Sequence, residues 1–184
     1  MAKLVLGFTG EIASGKGTAS KYVVEKYQAV SYRFSTMLRD LLKRMYLEDS
    51  RENMQKISTV LRQNFGEDIM AKVMFNDAKE SQQNVVVIDG IRRLADITYL
   101  KELPEFKLVY IEATMEKRFE RIVKRGENPD DQAKTLEQFQ RDHQAETELQ
   151  IKDLKQYASA VIDNNGSQDE LHSQIDKLIA EGLQ

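Results

Sequence analysis

The sequence predicts an α/β fold, a parallel sheet with helices on both faces, and three observations carry that expectation. Five short β-type runs alternate with longer stretches of helical apolar spacing, the signature of strand–helix crossovers of right-handed sense. The run Asn84-Val85-Val86-Val87-Ile88-Asp89 is apolar on both faces, as a central strand covered on each side must be. The first run, Lys3-Leu4-Val5-Leu6-Gly7-Phe8, enters a glycine-bearing turn and then a helical stretch, a strand–loop–helix unit.

In chain order, the first helix is expected through Tyr27, with Ala19, Val23 and Tyr27 on one face. Ala29–Phe34 reads as the second strand. Ser35 or Thr36 is expected to cap a helix carrying Met37, Leu38, Leu41, Leu42 and Met45. A further helix starts near Asp49 or Ser50, presents Met54, Ile57, Leu61 and Phe65, and stops at Gly66. Ile69, Val73, Met74 and Ala78 mark another, so residues 36–83 form a helical insertion. After the Val85–Ile88 strand, a helix over 94–103 is expected to end at Pro104. Lys107–Ile111 is the fourth strand, followed by a helix over 115–125. Residues 126–134 hold Gly126, Asn128, Pro129, Asp130 and Asp131 and read as a loop. Thr135-x-x-Gln138 has the form of a capping box, Ala158–Ile162 is the fifth strand, and Ser167-x-x-Glu170 is a second capping box before the last helix.

Composition bounds the function. With 184 residues and 41% hydrophobic content, one domain with a full core is expected. The net charge of -3 argues against a nucleic-acid surface as the main business. There is no Cys, so disulfides and thiolate metal sites are excluded. His143 and His172 are far apart in sequence and read as surface helix residues rather than metal ligands. No apolar run reaches the ~20 residues that span a bilayer, and the N-terminus shows no signal-peptide pattern. A cytoplasmic protein without membrane partners, monomeric or weakly dimeric, is the expectation.

Chemistry is expected at the carboxyl ends of the strands. Gly10-Glu11-Ile12-Ala13-Ser14-Gly15-Lys16 is G-x-x-x-x-G-K, followed by Gly17 and Thr18. This is a phosphate-cradling P-loop in its expected context. Glycines let backbone N–H groups turn inward, and the helix adds its positive end. Gly10, Ile12, Ala13, Ser14, Gly15, Lys16, Gly17 and Thr18 are thus candidates for binding a nucleoside triphosphate. Lys16 would reach the β- and γ-phosphates. Asp89, ending an apolar run, has the Walker B form and with Thr18 is a candidate Mg²⁺ ligand. Its alternative is a turn or cap role. Arg118, Arg121 and Arg125 could form a solvated helix face; an anion between Arg121 and Arg125 would relieve their like-charge crowding. Arg92 beside Arg93 at a strand end is harder to explain structurally.

The G-K-G-T variant resembles the adenylate kinase branch of the nucleoside monophosphate kinases. Val87-Ile88-Asp89-Gly90-Ile91-Arg92-Arg93 resembles that family's L-L-D-G-F-P-R, and Ser35-Thr36-Met37-Leu38-Arg39 resembles its S-T-G-D-M-L-R without the Gly-Asp pair. Glu120-Arg121-Ile122-Val123-Lys124-Arg125 resembles the lid-opening E-R-I-x-x-R, and Asp130-Asp131-Gln132 the end of the lid. The resemblance implies a three-layer P-loop kinase fold with a core over 1–35, 84–125 and 142–184. It also implies an acceptor-binding insertion over 36–83 and a short lid over 126–141. It implies ATP and Mg²⁺ as cofactors and a small-molecule nucleotide acceptor as partner. Ser35, Arg39, Arg92 and Arg93 would hold the acceptor, and Arg121 and Arg125 would clamp the triphosphate. Arg141 is the nearest candidate for the lid arginine missing before Asp130. Catalysis would fall to Lys16, Arg93, Arg121 and Arg125, and residues near Asn164–Ser167, with Arg121, are candidates for the adenine.

Two rivals stand beside this reading. Dephospho-CoA kinase needs a carboxylate base, yet its D-x-D place reads Tyr32-Arg33-Phe34 here. A P-loop ATPase or switch would hydrolyse ATP without an acceptor, but the GTPase signatures N-K-x-D and D-x-x-G are missing from their places.

Overall fold

Alternation along β1 (Leu4–Thr9) divides the interior of the protein in two. Leu4, Leu6 and Phe8 enter one apolar cluster, and Val5 enters the other, as the period of two in a strand requires. These are the two faces of one sheet, seen in a computed structural model that describes residues 2–125, 135–142 and 146–183. The first cluster is closed by Ala19 and Val23 of α1 (Lys16–Tyr27) and by Leu171, Ile175 and Ile179 of α8 (Gln168–Gly182). The second is closed by Met74 and Ala78 of α4 (Ile69–Glu80) and by Ile97 and Leu100.

All five strands are parallel. The remaining four are β2 (Val30–Arg33), β3 (Val85–Asp89), β4 (Phe106–Glu112) and β5 (Ala160–Asp163), in spatial order β2-β3-β1-β4-β5. β1 is therefore the middle strand: the chain runs from it to β2 and back to β3 on one side, then to β4 and β5 on the other. The crevice at its carboxyl end is the switch point where ligands collect in such sheets. Gly7 lets the sheet close tightly, since a Cβ there would meet Ile91 and Phe106 at 2.7 and 2.8 Å.

Between β2 and β3 run α2 (Phe34–Arg44), α3 (Arg51–Phe65) and α4. Ser50 caps α3 through Asn53 N–H, and Gly66 ends it at φ +103°. These are the stop and start signals read from sequence. Ser35 and Thr36 do not cap α2: β2 ends at Arg33 and the helix begins at Phe34, with no side-chain cap. Phe34 packs against the second cluster, which starts the first turn before either hydroxyl can serve. α3 buries no residue, and Phe65 stays exposed.

Residues 94–103 are two 3₁₀ turns, Leu94–Ile97 and Leu100–Glu102, rather than the expected helix. Ile97 ends the first turn and Leu100 opens the second, and both are fully buried. After β4 comes α5 (Met115–Arg125). Thr135 and Gln138 make the reciprocal bonds of a capping box at α6 (Leu136–Asp142). A separate α7 (Glu146–Asp153) and a 3₁₀ turn (Leu154–Tyr157), neither marked by sequence signals, lead to β5. Ser167 and Glu170 form the second box at α8.

Candidate active site

The turn after β1 is held open by backbone that ordinary residues resist. Gly10, Ala13 and Gly15 have φ of +145°, +59° and +107°. A Cβ on Gly10 would stand 2.2 Å from the Ile111 carbonyl oxygen, and one on Gly15 would stand 2.1 Å from Asn164 Nδ2. Left-handed residues set among ordinary turn residues let successive N–H groups face a common centre. No side chain caps the start of α1, so its first N–H groups are left for an anion. Lys16 folds back over the loop, donating to the carbonyls of Gly10 (2.5 Å) and Glu11 (2.9 Å). Ser14 Oγ is buried in the loop without a hydrogen-bond partner. Gly17 has open space around it, and Thr18 is exposed on the first turn of α1. Backbone donors, an ammonium and an unused hydroxyl fit a polyphosphate.

Arginines brace the loop from α5. Arg118 is 3% exposed. It donates to the carbonyls of Ala113 (3.1 Å) and Ile12 (3.3 Å) and pairs with Glu11 at 3.2 Å. Lys152 of α7 approaches the same Glu11 oxygen at 3.6 Å. Arg121 donates to Asn164 O (2.7 Å) and Ser14 O (3.4 Å), and its burial lowers the guanidinium pKa from its ordinary value. Asn164, buried in the turn after β5, donates to Ser14 O at 2.7 Å. The solvated-face reading of this helix therefore fails for Arg118 and Arg121, which turn onto the loop. The side chain of Arg125 and residues 126–134, with Asp130, Asp131 and Gln132, lie outside the described residues. Arg141 is exposed on α6.

On the other side of the crevice, Asp89 is 5% exposed at the end of β3. Its Oδ2 accepts from Arg33, its register partner on β2. Thr9 Oγ1 donates to Ile91 O at 3.1 Å, fastening the strand ends together. Buried Asp96 accepts from the backbone N–H groups of Arg92 (3.0 Å) and Arg93 (3.1 Å), and its other oxygen lies 3.4 Å from the Arg93 guanidinium. This sets Arg93 half-buried and Arg92 outward, in exposed position. Arg62 reaches in from α3, bonded to Glu67 O at 3.0 Å and Ser58 Oγ at 3.4 Å. Its pKa is lowered first by burial and then by the nearby charge of Arg93. Ser35 lies half-buried in the first turn of α2, while Arg39 is exposed and paired with Asp49 at 3.1 Å.

The structure thus gathers two groups of residues around the end of β1. The loop, Lys16, Arg118, Arg121 and Asn164 lie toward β4 and β5; Asp89, Arg33, Arg92, Arg93 and Arg62 lie toward β2 and β3. Sequence reading missed Arg33 and Arg62, and no motif marks either. Among the described residues no cluster of three or more His, Asp or Glu could hold a metal, and no helix is long and apolar enough to cross a membrane.

Residues 9–140 match the AAA domain family. A UPF0200 protein of Thermococcus kodakarensis is 30% identical over 183 residues, covering 97% of both chains. A UPF0200/UPF0201 protein of Archaeoglobus fulgidus is 29% identical over 179 residues; the match takes in 95% of this chain but only 54% of that longer protein. Among solved structures, a shikimate kinase from Acinetobacter baumannii in complex with shikimate superposes with a TM-score of 0.57 at 18% identity, over 97% of this chain and 93% of that one. That likeness places the fold among the P-loop kinases. With its loop, its five-stranded sheet and a family match across most of its length, the chain belongs to the AAA domain family and is also a relative of the UPF0200 proteins.

Proposed function

We propose that the protein is an ATP-dependent phosphotransferase whose acceptor is a nucleoside or deoxynucleoside monophosphate. One observation carries the choice of acceptor. At the end of β2, where a hydroxyl acceptor would need a carboxylate base, the chain presents Arg33, and the neighbouring Asp89 carboxylate is engaged by it. The strand ends beyond carry Arg92, Arg93 and Arg62. That surface suits an acceptor already anionic, for which no base is required.

The loop and Lys16 bind the donor triphosphate, and Lys16 exchanges its bonds to the Gly10 and Glu11 carbonyls for phosphate oxygens. Hydroxyl and carboxylate oxygens suit Mg²⁺, so Thr18 and Asp89 would hold it, with phosphates and water completing its shell. The cation would neutralise charge as the phosphoryl group moves. Arg121 stabilises the equatorial oxygens together with Arg125, while Arg93 and Arg39 align the acceptor, assisted by Ser35 and Arg92.

ADP release with ATP and Mg²⁺ is measured against ribo- and deoxyribonucleoside monophosphates, dephospho-CoA, shikimate and a no-acceptor control. Turnover with one monophosphate, with KM for it raised about tenfold or more in Arg93→Ala, is the expected result. Turnover with a hydroxyl acceptor alone would replace this reading. Equal ADP release in every well would make the protein an ATPase.

A further inference from the structure

Arg33 is given no substrate contact in the mechanism above, yet it occupies a decisive place. β2 and β3 are in register so that Arg33 and Asp89 are paired residues at the carboxyl ends of adjacent strands. The guanidinium reaches the buried Asp89 carboxylate while half of the Arg33 side chain stays exposed. The next turn leaves room for movement: Gly90 has φ +88°, and even a Cβ there would lie 3.8 Å from Arg33 Cγ. Asp89 is the carboxylate that a divalent cation needs, and one oxygen of it now faces a guanidinium. Two cations cannot share that oxygen at contact distance without strong repulsion.

We propose that Arg33 is a metal-gated acceptor-binding residue, held on Asp89 until a divalent cation takes that carboxylate and then freed to pair with the acceptor's anion. The inference rests on the kinase reading above, through Asp89 as metal ligand. Once displaced, Arg33 swings from the strand end toward the crevice it shares with Arg93. A residue anchored in a strand by its backbone, with a long half-exposed side chain, moves its charge several ångströms by rotamer changes alone. Metal and acceptor then favour each other's binding, because linkage is reciprocal. The gate also keeps the buried Asp89 charge compensated before the cation arrives, which an isolated buried carboxylate would require.

The test uses Mn²⁺ in place of Mg²⁺, titrated against the ADP-saturated protein and followed by electron paramagnetic resonance. In Arg33→Gln, removal of the competing cation tightens Mn²⁺ binding by roughly three- to tenfold, the worth of one charge-assisted contact partly screened by solvent. For whichever monophosphate is turned over, its KM rises by about tenfold while kcat changes less. Arg33→Lys, which keeps a compensating charge without the planar fork, lies between wild type and Arg33→Gln in both measurements. It serves as the folded control if the glutamine variant is unstable. Unchanged or weakened Mn²⁺ affinity in both variants, or an unchanged KM, overturns the gate. Absence of ADP-dependent Mn²⁺ binding in the wild type overturns the kinase reading itself, and the gate with it.

Discussion

The loop depends on two kinds of residue, and they fail differently. Lys16 contributes little to folding, since its two bonds to loop carbonyls can be replaced by water. Lys16→Met should therefore leave the thermal midpoint within a degree or two while lowering kcat/KM for ATP by about a hundredfold or more, a loss of the size seen when one donor to a transition state is removed. Arg118 is the opposite case. It is buried against Glu11 and two carbonyls, and Arg118→Met takes its guanidinium away from the largely buried Glu11 carboxylate. Breaking a buried pair from one side costs about 3 kcal/mol, measurable as a lowered urea midpoint. Gly15→Ala adds a Cβ where the Asn164 amide stands, in a left-handed conformation. It should abolish nucleotide binding by calorimetry even where the protein still folds.

At the scale of elements, α1 and α8 are stapled by one carboxylate. Asp176 accepts from Tyr22 (2.8 Å), Tyr27 (2.7 Å) and Lys26 (2.8 Å), and His172 stacks on Tyr22 at 3.6 Å. Although burial opposes ionisation, hydrogen bonds from Lys26 and the two tyrosines hold the Asp176 carboxyl below its usual range. Burial, and then Asp176, push the Tyr27 phenol up to about 12. The signs follow. Stability from a depressed carboxyl is present above the unfolded value of about 4 and is lost as pH falls through the lower folded value. Stability from a raised phenol is present below about 10 and is lost as pH rises toward 12. Urea midpoints of wild type and Asp176→Asn should thus differ at pH 7 and converge in acid, and the wild-type midpoint should fall above pH 10. A difference persisting at pH 2 would show that the staple is not electrostatic. Helix α3 lies at the other extreme: it buries no residue. Its amides should exchange with solvent faster than those of β1, β3 and β4 by hydrogen-exchange mass spectrometry.

For the whole molecule, nucleotide binding and folding are linked. At about 100 times its Kd, MgATP stabilises a native state by roughly 2.7 kcal/mol, which for a chain of this size raises the thermal midpoint by roughly 5–10 °C. Lys16→Met should lose most of that shift. Most of the architecture was legible in the chain. Five apolar runs, two capping boxes, Ser50 and Gly66 act through neighbours in sequence, and the structure realises them at those positions. The loop was legible for the same reason, because a phosphate cradle is built from consecutive backbone. Where local signals met packing, packing prevailed. Residues 94–103 form two 3₁₀ turns, with Ile97 and Leu100 in the core, and Phe34 opens α2 ahead of its hydroxyl residues. A parallel α/β fold with a P-loop follows from the chain alone, since periodicity and glycine chemistry are local properties. That Arg118 and Arg121 face the loop and that Arg33 rests on Asp89 follows from folding. Each partner lies tens of residues away, and a charge's role depends on which opposite charge the folded chain brings within contact.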